Sequence, residues 1–453
     1  MRHYIKTPKC GLLAVLIWTW AGWGTSNLAG QDVLTPAPVI TPGVPFDPQG
    51  TMYNGPVETS VINSDVVFAA DPGQSWIGID TPTTWSMLDF QNRQGDKQLT
   101  LLKSQSEHGG SPQIIVGGQM RVSALAAKTN SNDKFPYQGR FPTDFTGNSA
   151  LDVRVLQSNQ NVIAHVAPWA TGYVETLFSD VFTFPTFNQG SFQMRQAYAV
   201  LGNLDESPIY LFAGKKNVSF GDMRTLSPFT QSMVWHYFGA LAEGGGIGYS
   251  ADGLNMTLTA LNGSRGIRVV DSPTKGHINN MAANGSYEFN LPNGTEIIFG
   301  GGYLAGTSYN AAVAEHTSPA ITGPQNGAWD VNGRIRMGNV YLSGEYASTL
   351  KPWPATSHRV QAYRAELALD MPIGGVPAWW AASWSEGIQG PSGTEYRSNQ
   401  QLVLGLELQP SPNVLLTAEY VRSLGFAPLI NITTVSDSNV VQDSFVFGLV
   451  LAM

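Results

Sequence analysis

Cysteine is nearly missing: Cys10 is the only one in 453 residues, so disulfides are excluded as staples of everything that follows it. Charge is also scarce, at 13% of the chain, and acidic residues outnumber basic ones by 33 to 25 with no basic cluster. Such a surface does not suit nucleic acid. After the first thirty residues no apolar run approaches the roughly 18 residues that a spanning helix needs. The signatures of common enzymes are absent too. The seven histidines (3, 108, 165, 236, 277, 316 and 358) show no metal-ligand spacing. No G-x-S-x-G elbow occurs. The glycine-rich A-E-G-G-G-I-G-Y (242–249) lacks the Lys-Ser/Thr of a phosphate loop and reads as a strand that lets neighbours approach closely. The expectation is a protein without enzymatic activity, cofactor or metal. A hydrolase built on a dispersed Ser-His pair is the residual catalytic alternative.

Glycine, by contrast, numbers 49, with 16 Tyr and 12 Trp. The first residues are basic (M-R-H-Y-I-K-T-P-K), then apolar (C-G-L-L-A-V-L-I-W-T-W-A-G-W-G), then small and polar (T-S-N-L-A-G). That order predicts a secretory signal peptide over 1–30, cut after Ala29 or Gly30, with a retained anchor as the alternative. Gln31 stands where a lipoprotein would carry its cysteine. Removing Arg2, Lys6 and Lys9 leaves 25 − 3 = 22 basic residues against 33 acidic ones, a net charge of −11. Residues 31–60 are Pro-rich and read as an extended periplasmic lead-in. Within 61–110, the stretch S-M-L-D-F-Q-N-R-Q-G-D-K-Q-L-T-L-L-K-S-Q predicts a short helix resting against or inside whatever follows. The segment 31–112 is therefore a lead-in with a small helix or plug.

From 113 to 453, strand candidates come in pairs. The first, 114–126, stands alone. Pairs follow at 150–166 and 169–179, 191–202 and 208–221, 240–250 and 254–263, and 281–290 and 295–307. Further pairs fall at 328–337 and 340–350, 360–371 and 377–387, and 397–408 and 414–423. The last strand, 443–453, is again single. Gly, Asn, Asp and Pro occupy the short joints, as tight turns require. One, seven hairpins and one make 16 strands, an even number that puts both ends of a closed sheet on one side. The longer connections, 127–149, 222–239, 264–280, 308–327, 388–396 and 424–442, would be extracellular loops.

Alternation gives each strand two faces. Trp329, Val331, Ile335 and Met337 oppose Asp330, Asn332, Arg334 and Arg336. Tyr363, Leu367, Leu369 and Met371 oppose Arg364, Glu366 and Asp370; Leu151, Val153 and Val155 oppose Asp152 and Arg154. Leu402, Leu404, Leu406 and Leu408 oppose Glu407. A soluble sandwich alternates as well, with its charged face outside. Export, the missing cysteines, the hairpin rhythm and the strand count favour an all-β, transmembrane, antiparallel up-and-down β-barrel of about 16 strands in the outer membrane of a Gram-negative envelope, its greasy face against lipid. The charged parity then lines water. Arg154, Arg195, Arg334, Arg336 and Arg364, with Asp152, Asp330, Glu366 and Glu407, become candidates for selectivity in the lumen, and only one of Lys215 and Lys216 can join them. The plainer alternative is that these groups solvate the lumen and pair with one another.

The ending S-F-V-F-G-L-V-L-A-M (444–453) fits a closing strand, its large residues toward lipid and its small ones toward the lumen. It resembles the assembly signal of outer-membrane barrels at Gly448, Leu451 and Met453, departing from it at Met453, where an aromatic is usual, and at Val446. That implies the barrel-assembly machinery as a partner. The hairpin Q-A-Y-A-V-L-G-N-L-D-E-S-P-I-Y-L-F-A-G-K-K-N-V-S-F-G (196–221) resembles that of LbtU-type siderophore porins, and its A-G-K…F-G part is similar to phosphate-selective porins. S-P-F-T-Q-S (227–232) and Q-I-I-V-G-G-Q-M-R-V extend the likeness over roughly 60–453. The resemblance implies uptake of a ferric siderophore by diffusion through the barrel. A general porin, or one selective for phosphate or sugars, is the alternative, and a non-transporting structural barrel, adhesin or enzyme a third. Porins of this size are often homotrimers.

Overall fold

The computed structural model describes residues 76–453 apart from 90, 93–94, 96, 108–111, 137–144, 180–190, 263–277, 307–325, 353–356, 395–396, 398 and 427–436. The expected leader, the expected lead-in and most of the expected loops at 264–280 and 308–327 lie outside the described residues. The chain enters through β1 (Ile77–Gly78), α1 (Thr81–Leu88) and α2 (Gln98–Glu107). The wall begins with β2 (Gln113–Thr129), β3 (Ser149–Ala167), β4 (Ala170–Ser179), β5 (Ser191–Leu201) and β6 (Ile209–Asn217). After α3 (Met233–Phe238) come β7 (Leu241–Ala251), β8 (Leu254–Asn262), β9 (Ile278–Asn290), β10 (Thr295–Leu304), β11 (Ala328–Met337) and β12 (Val340–Thr349). The wall ends with β13 (Gln361–Asp370), β14 (Ala378–Ile388), β15 (Asn399–Ser411), β16 (Val414–Phe426) and β17 (Asp437–Ala452).

Among the described residues, β2 to β17 make a closed antiparallel barrel of sixteen strands, each paired with the next in sequence, and β17 with β2. The turn chemistry explains the hairpins. Asp252 and Gly253 both take positive φ, 51° and 79°, as the twist-matched two-residue turn demands. Gly294 at 77° and Gly338 at 59° serve the next two joints. The expected strands hold within a few residues, except that β16 and β17 run longer into the 424–442 connection.

β17 lies between β16 and β2, with Phe445 opposite Tyr420 on one side and Ala126 on the other. Phe447 is 55% exposed and Val446 1% exposed, so the large residues face out and the small ones in. The pattern repeats around the wall: Trp329, Val331, Leu402 and Leu404 are exposed, while Asp330, Arg364, Glu366, Glu407 and Glu419 are buried. Closure gives each strand of the barrel a paired neighbour on both sides, and the outward face is apolar, so hydrocarbon rather than water suits it. Tyr303 and Trp329 face out together near the long-loop ends of β10 and β11, and Tyr287 and Phe289 near a short turn.

The closing seam carries an extra piece. β17 ends where Met453 exchanges both backbone hydrogen bonds with Gly118, at 3.0 Å each. Beyond it β1 pairs in parallel with β2, Ile77 opposite Ile114, and covers the remaining edge of that strand.

A lumen narrowed by two inward elements

The first inward element is 76–107. Where one helix is expected, the structure has two, because Asp80 caps α1 through a hydrogen bond from the Thr83 amide at 3.0 Å, and the chain turns at Gln91 and Asn92 before α2. Both helices lie on the charged-parity side of the wall. A Cβ placed on Gly117 would strike Thr84. Trp85 donates to the Pro412 carbonyl at 2.8 Å, and Gln105 donates to Pro168, both in short turns, so these helices occupy the short-turn mouth. Met87, Leu101 and Leu102 pack with Ile115, Ile163, Tyr173, Tyr198, Tyr210 and Phe212 into an apolar cluster against β2 to β6. Across the wall the Tyr210 ring covers Gly248, where a Cβ would come within 2.0 Å of it. This is the close approach that the glycine-rich strand permits.

The second inward element corrects an expectation. Residues 222–239 are not an extracellular loop; the stretch 218–240 folds into the barrel and is buried along nearly all its length. The resembled hairpin launches it. Gly221 takes φ +69°, a conformation a side chain would strain, and a Cβ there would approach the Glu345 carboxylate to 2.7 Å. Its amide donates to Asn284 at 3.1 Å.

Three wall carboxylates then hold the segment's backbone. Glu345 accepts from the amides of Asp222 at 2.8 Å and Met223 at 3.0 Å. Glu366 accepts from the Leu226 amide at 3.1 Å, the Thr225 hydroxyl at 2.6 Å and Ser383 at 2.9 Å. Glu419 accepts from the amides of Phe229 at 2.6 Å and Thr230 at 3.0 Å, and from the Thr230 hydroxyl at 2.7 Å. Hydrogen bonds to a charged acceptor are about twice as strong as neutral ones. Trp379 adds a bond to the Leu226 carbonyl, and Arg121 and Gln91 both donate to Pro228. The two inward elements thus meet at Pro228.

Arg364 is the hub. Its guanidinium reaches Asp222 at 2.7 Å, Glu345 at 2.8 Å and Glu366 at 2.5 Å. Arg224 and Arg334 approach Asp222 from the other side, at 3.0 and 3.7 Å. Burial pushes the Asp222 carboxyl up, but Arg334, Arg224 and Arg364 outweigh it and bring it down to about 2. Asp222 is therefore held as an anion.

The remaining expected site residues sit as follows. Asp330 is buried beside Asn332, which donates to it at 2.6 Å. Arg336 stands opposite Glu296 and Tyr341, 5.3 Å from that ring centre. Arg195 binds Glu175 at 3.0 Å and Asn217 at 3.1 Å. Arg154 pairs with Asp152 on its own strand. Glu407 accepts from Gln91 at 3.1 Å. Of the two lysines, Lys216 is the buried one, bound to Ser219 at 3.1 Å and 4.6 Å from the Phe212 ring centre; Lys215 reaches the Met194 carbonyl. Gly448 faces inward beside Thr417 and Ser123, while Leu451 and Met453 are exposed. Of these eleven charges, five (Lys216, Arg334, Arg364, Glu366 and Glu407) bind the inward elements rather than standing in a free ring.

Sequence reasoning passed over Arg121, Glu345 and Glu419, although all three share the inward parity of their strands. It also missed Asp222 and Arg224, which no alternation marks. Ser104 and His165 do come within 3.2 Å, but both are buried between α2 and the wall, and the other ring nitrogen of His165 meets the Thr171 hydroxyl at 2.8 Å. Among the described residues, no group of three or more His, Cys, Asp and Glu could hold a metal ion.

No family model and no curated protein matches the chain. Solved structures do. The outer-membrane channel DcaP of Acinetobacter baumannii is 11% identical, covered to 98% by 76% of this chain, with a TM-score of 0.51. The anion-selective porin from Comamonas acidovorans is 12% identical, covered to 100% by 76% of this chain, with a TM-score of 0.50. At this identity the likeness is one of fold: the chain has the barrel of outer-membrane porins.

Proposed function

We propose that the protein is a porin-like channel of the outer membrane that passes a small polar solute by diffusion. The observation that carries this is the inward segment 218–240, fastened by Glu345, Glu366, Glu419 and Arg364 across a charged interior. A barrel that only anchored or displayed something would have no use for a constriction held in this way. Lipid surrounds the wall, and the tail with Gly448, Leu451 and Met453 is the part that barrel-assembly machinery would read. A homotrimer is the expected assembly. The ferric siderophore remains the finer reading, supported by the 196–221 hairpin. A second reading, phosphate or a sugar, is favoured by the crowding of the interior, where two inward elements meet at Pro228.

Purified protein in planar bilayers tests the proposal. Stepwise single-channel conductance is the expected result; bilayers that stay silent at every voltage would refute it. Saturable block then separates the solutes, and iron-limited growth of a deletion strain with purified siderophore tests the finer reading, which fails if uptake is unchanged.

A further inference from the structure

The two sides of the interior are unlike. Along β3 and β4 the inward residues Asn159, Asn161, Ile163 and Tyr173 are fully covered, and α1 and α2 lie over this part of the wall through their apolar cluster. Along β9 to β11 the inward residues Ser286, Glu288, Glu296, Asn332, Arg334 and Arg336 all keep partial exposure. On α2 the division runs along the helix. Leu101, Ser104 and Gln105 are buried, whereas Thr100, Lys103 and Glu107, spaced at three and four, form a partly or fully exposed stripe. α2 rests on β3 and β4, where Ser104 meets His165 at 3.2 Å and Gln105 accepts from Thr171 at 2.6 Å, so the stripe looks away from that wall and across the interior, on whose far side β9 to β11 lie.

We infer that the solute path is eccentric: it runs between the Thr100–Lys103–Glu107 stripe of α2 and the β9–β11 wall, with Lys103, Glu288 and Glu296 as specificity-determining residues at the short-turn mouth. This rests on the channel reading above. The helix bank carries Lys103 and Glu107, and the facing wall carries Arg334 and Arg336 with Glu288 and Glu296, so a passing solute meets both signs within the width of the passage and is turned by the field between them. The helices are a fixed bank, held by apolar packing that would leave a void on withdrawal.

The near-absence of cysteine makes the test clean. Single cysteines are placed at Lys103 and Glu288 on the path, and at Ser104 and Asn161 off it. Each variant is treated in the full-length, bilayer-inserted protein with a bulky membrane-impermeant maleimide, far larger than the Lys or Glu side chain it replaces. The path predicts rapid labelling of Lys103→Cys and Glu288→Cys with loss of about half or more of the conductance, and no change for Ser104→Cys or Asn161→Cys. Because Ser104 adjoins Lys103 on one helix, the contrast reads orientation, not depth. Block at Asn161→Cys or Ser104→Cys equal to that at Lys103→Cys would overturn the path while leaving the channel intact. Absence of conductance in the unsubstituted protein would overturn both. As a second reading of the same bank, Lys103→Glu should lower the anion-to-cation permeability ratio; an unchanged ratio counts against the path.

Discussion

At the scale of single residues, the interior behaves as a set of buried ion pairs whose partners depend on one another. Arg364 bridges three carboxylates from three parts of the chain. Removing one member of a buried network is costly because the others are left charged in a poor solvent, by about 3–5 kcal/mol. Arg364→Met is therefore expected to lower stability in detergent by that amount and to loosen 218–240, giving larger and noisier conductance. Arg422→Met is the contrast. Its pair with Asp443, at 3.2 Å, is exposed, and such pairs contribute about 1 kcal/mol or less. Unfolding midpoints of the two variants provide the comparison.

Asp89, at the bend between α1 and α2, offers a pH signature. Burial raises its carboxyl from 3.8 to about 6 against the pull of Lys97. The folded form therefore takes up this proton near pH 6, whereas the unfolded chain does so only near pH 4, so this group adds stability as pH falls through that window. Subtracting the pH dependence of Asp89→Asn from that of the unsubstituted protein should leave a gain on acidification between about pH 6 and 4. A difference that is flat or of opposite slope would show that Asp89 is not buried in this way.

At the scale of elements, the strands were legible and the inward segments were not, for one physical reason. A strand declares itself locally: Trp329 to Met337 alternate, and Asp252-Gly253 can hardly do anything but turn. The side of the wall on which a connection falls is decided elsewhere in sequence. The partners of 222–230 are Glu345, Glu366 and Glu419, more than 100 residues away, and nothing local announces them. Composition held a clue, since Phe229, Met233, Val234, Trp235, Tyr237 and Phe238 form an apolar run that an exposed loop has no reason to carry. Asp330, Arg364, Glu366, Glu407 and Lys216 lie on the buried parity and Lys215 on the other, but alternation cannot distinguish a lumen-lining charge from one consumed in fastening an inner segment.

The packing of α1 and α2 yields a prediction at this scale. Leu101 is fully buried in the apolar cluster between helix and wall, and Leu101→Ala should cost about 2–5 kcal/mol. The loss should fall on the inner helices, so conductance rises while the barrel still resists unfolding by detergent without heating. A variant with normal conductance and a weakened barrel would place Leu101 in the wall's own stability instead.

At the scale of the whole molecule, a single inversion organises the described residues: apolar side chains outside, most charges inside, and a sheet closed on itself. Closing the sheet relieves β17 of the risk that an apolar end strand would otherwise carry, and β1 covers the little of β2 that the C-terminus leaves open. The direct test is lipid contact along β17. A fluorophore attached in turn to cysteines at 445, 446, 447, 448 and 449 is placed in bilayers of brominated lipid. Quenching should be strong at Phe445, Phe447 and Leu449 and weak at Val446 and Gly448. Uniform quenching, or strong quenching at the even positions, would contradict a wall whose large residues meet hydrocarbon.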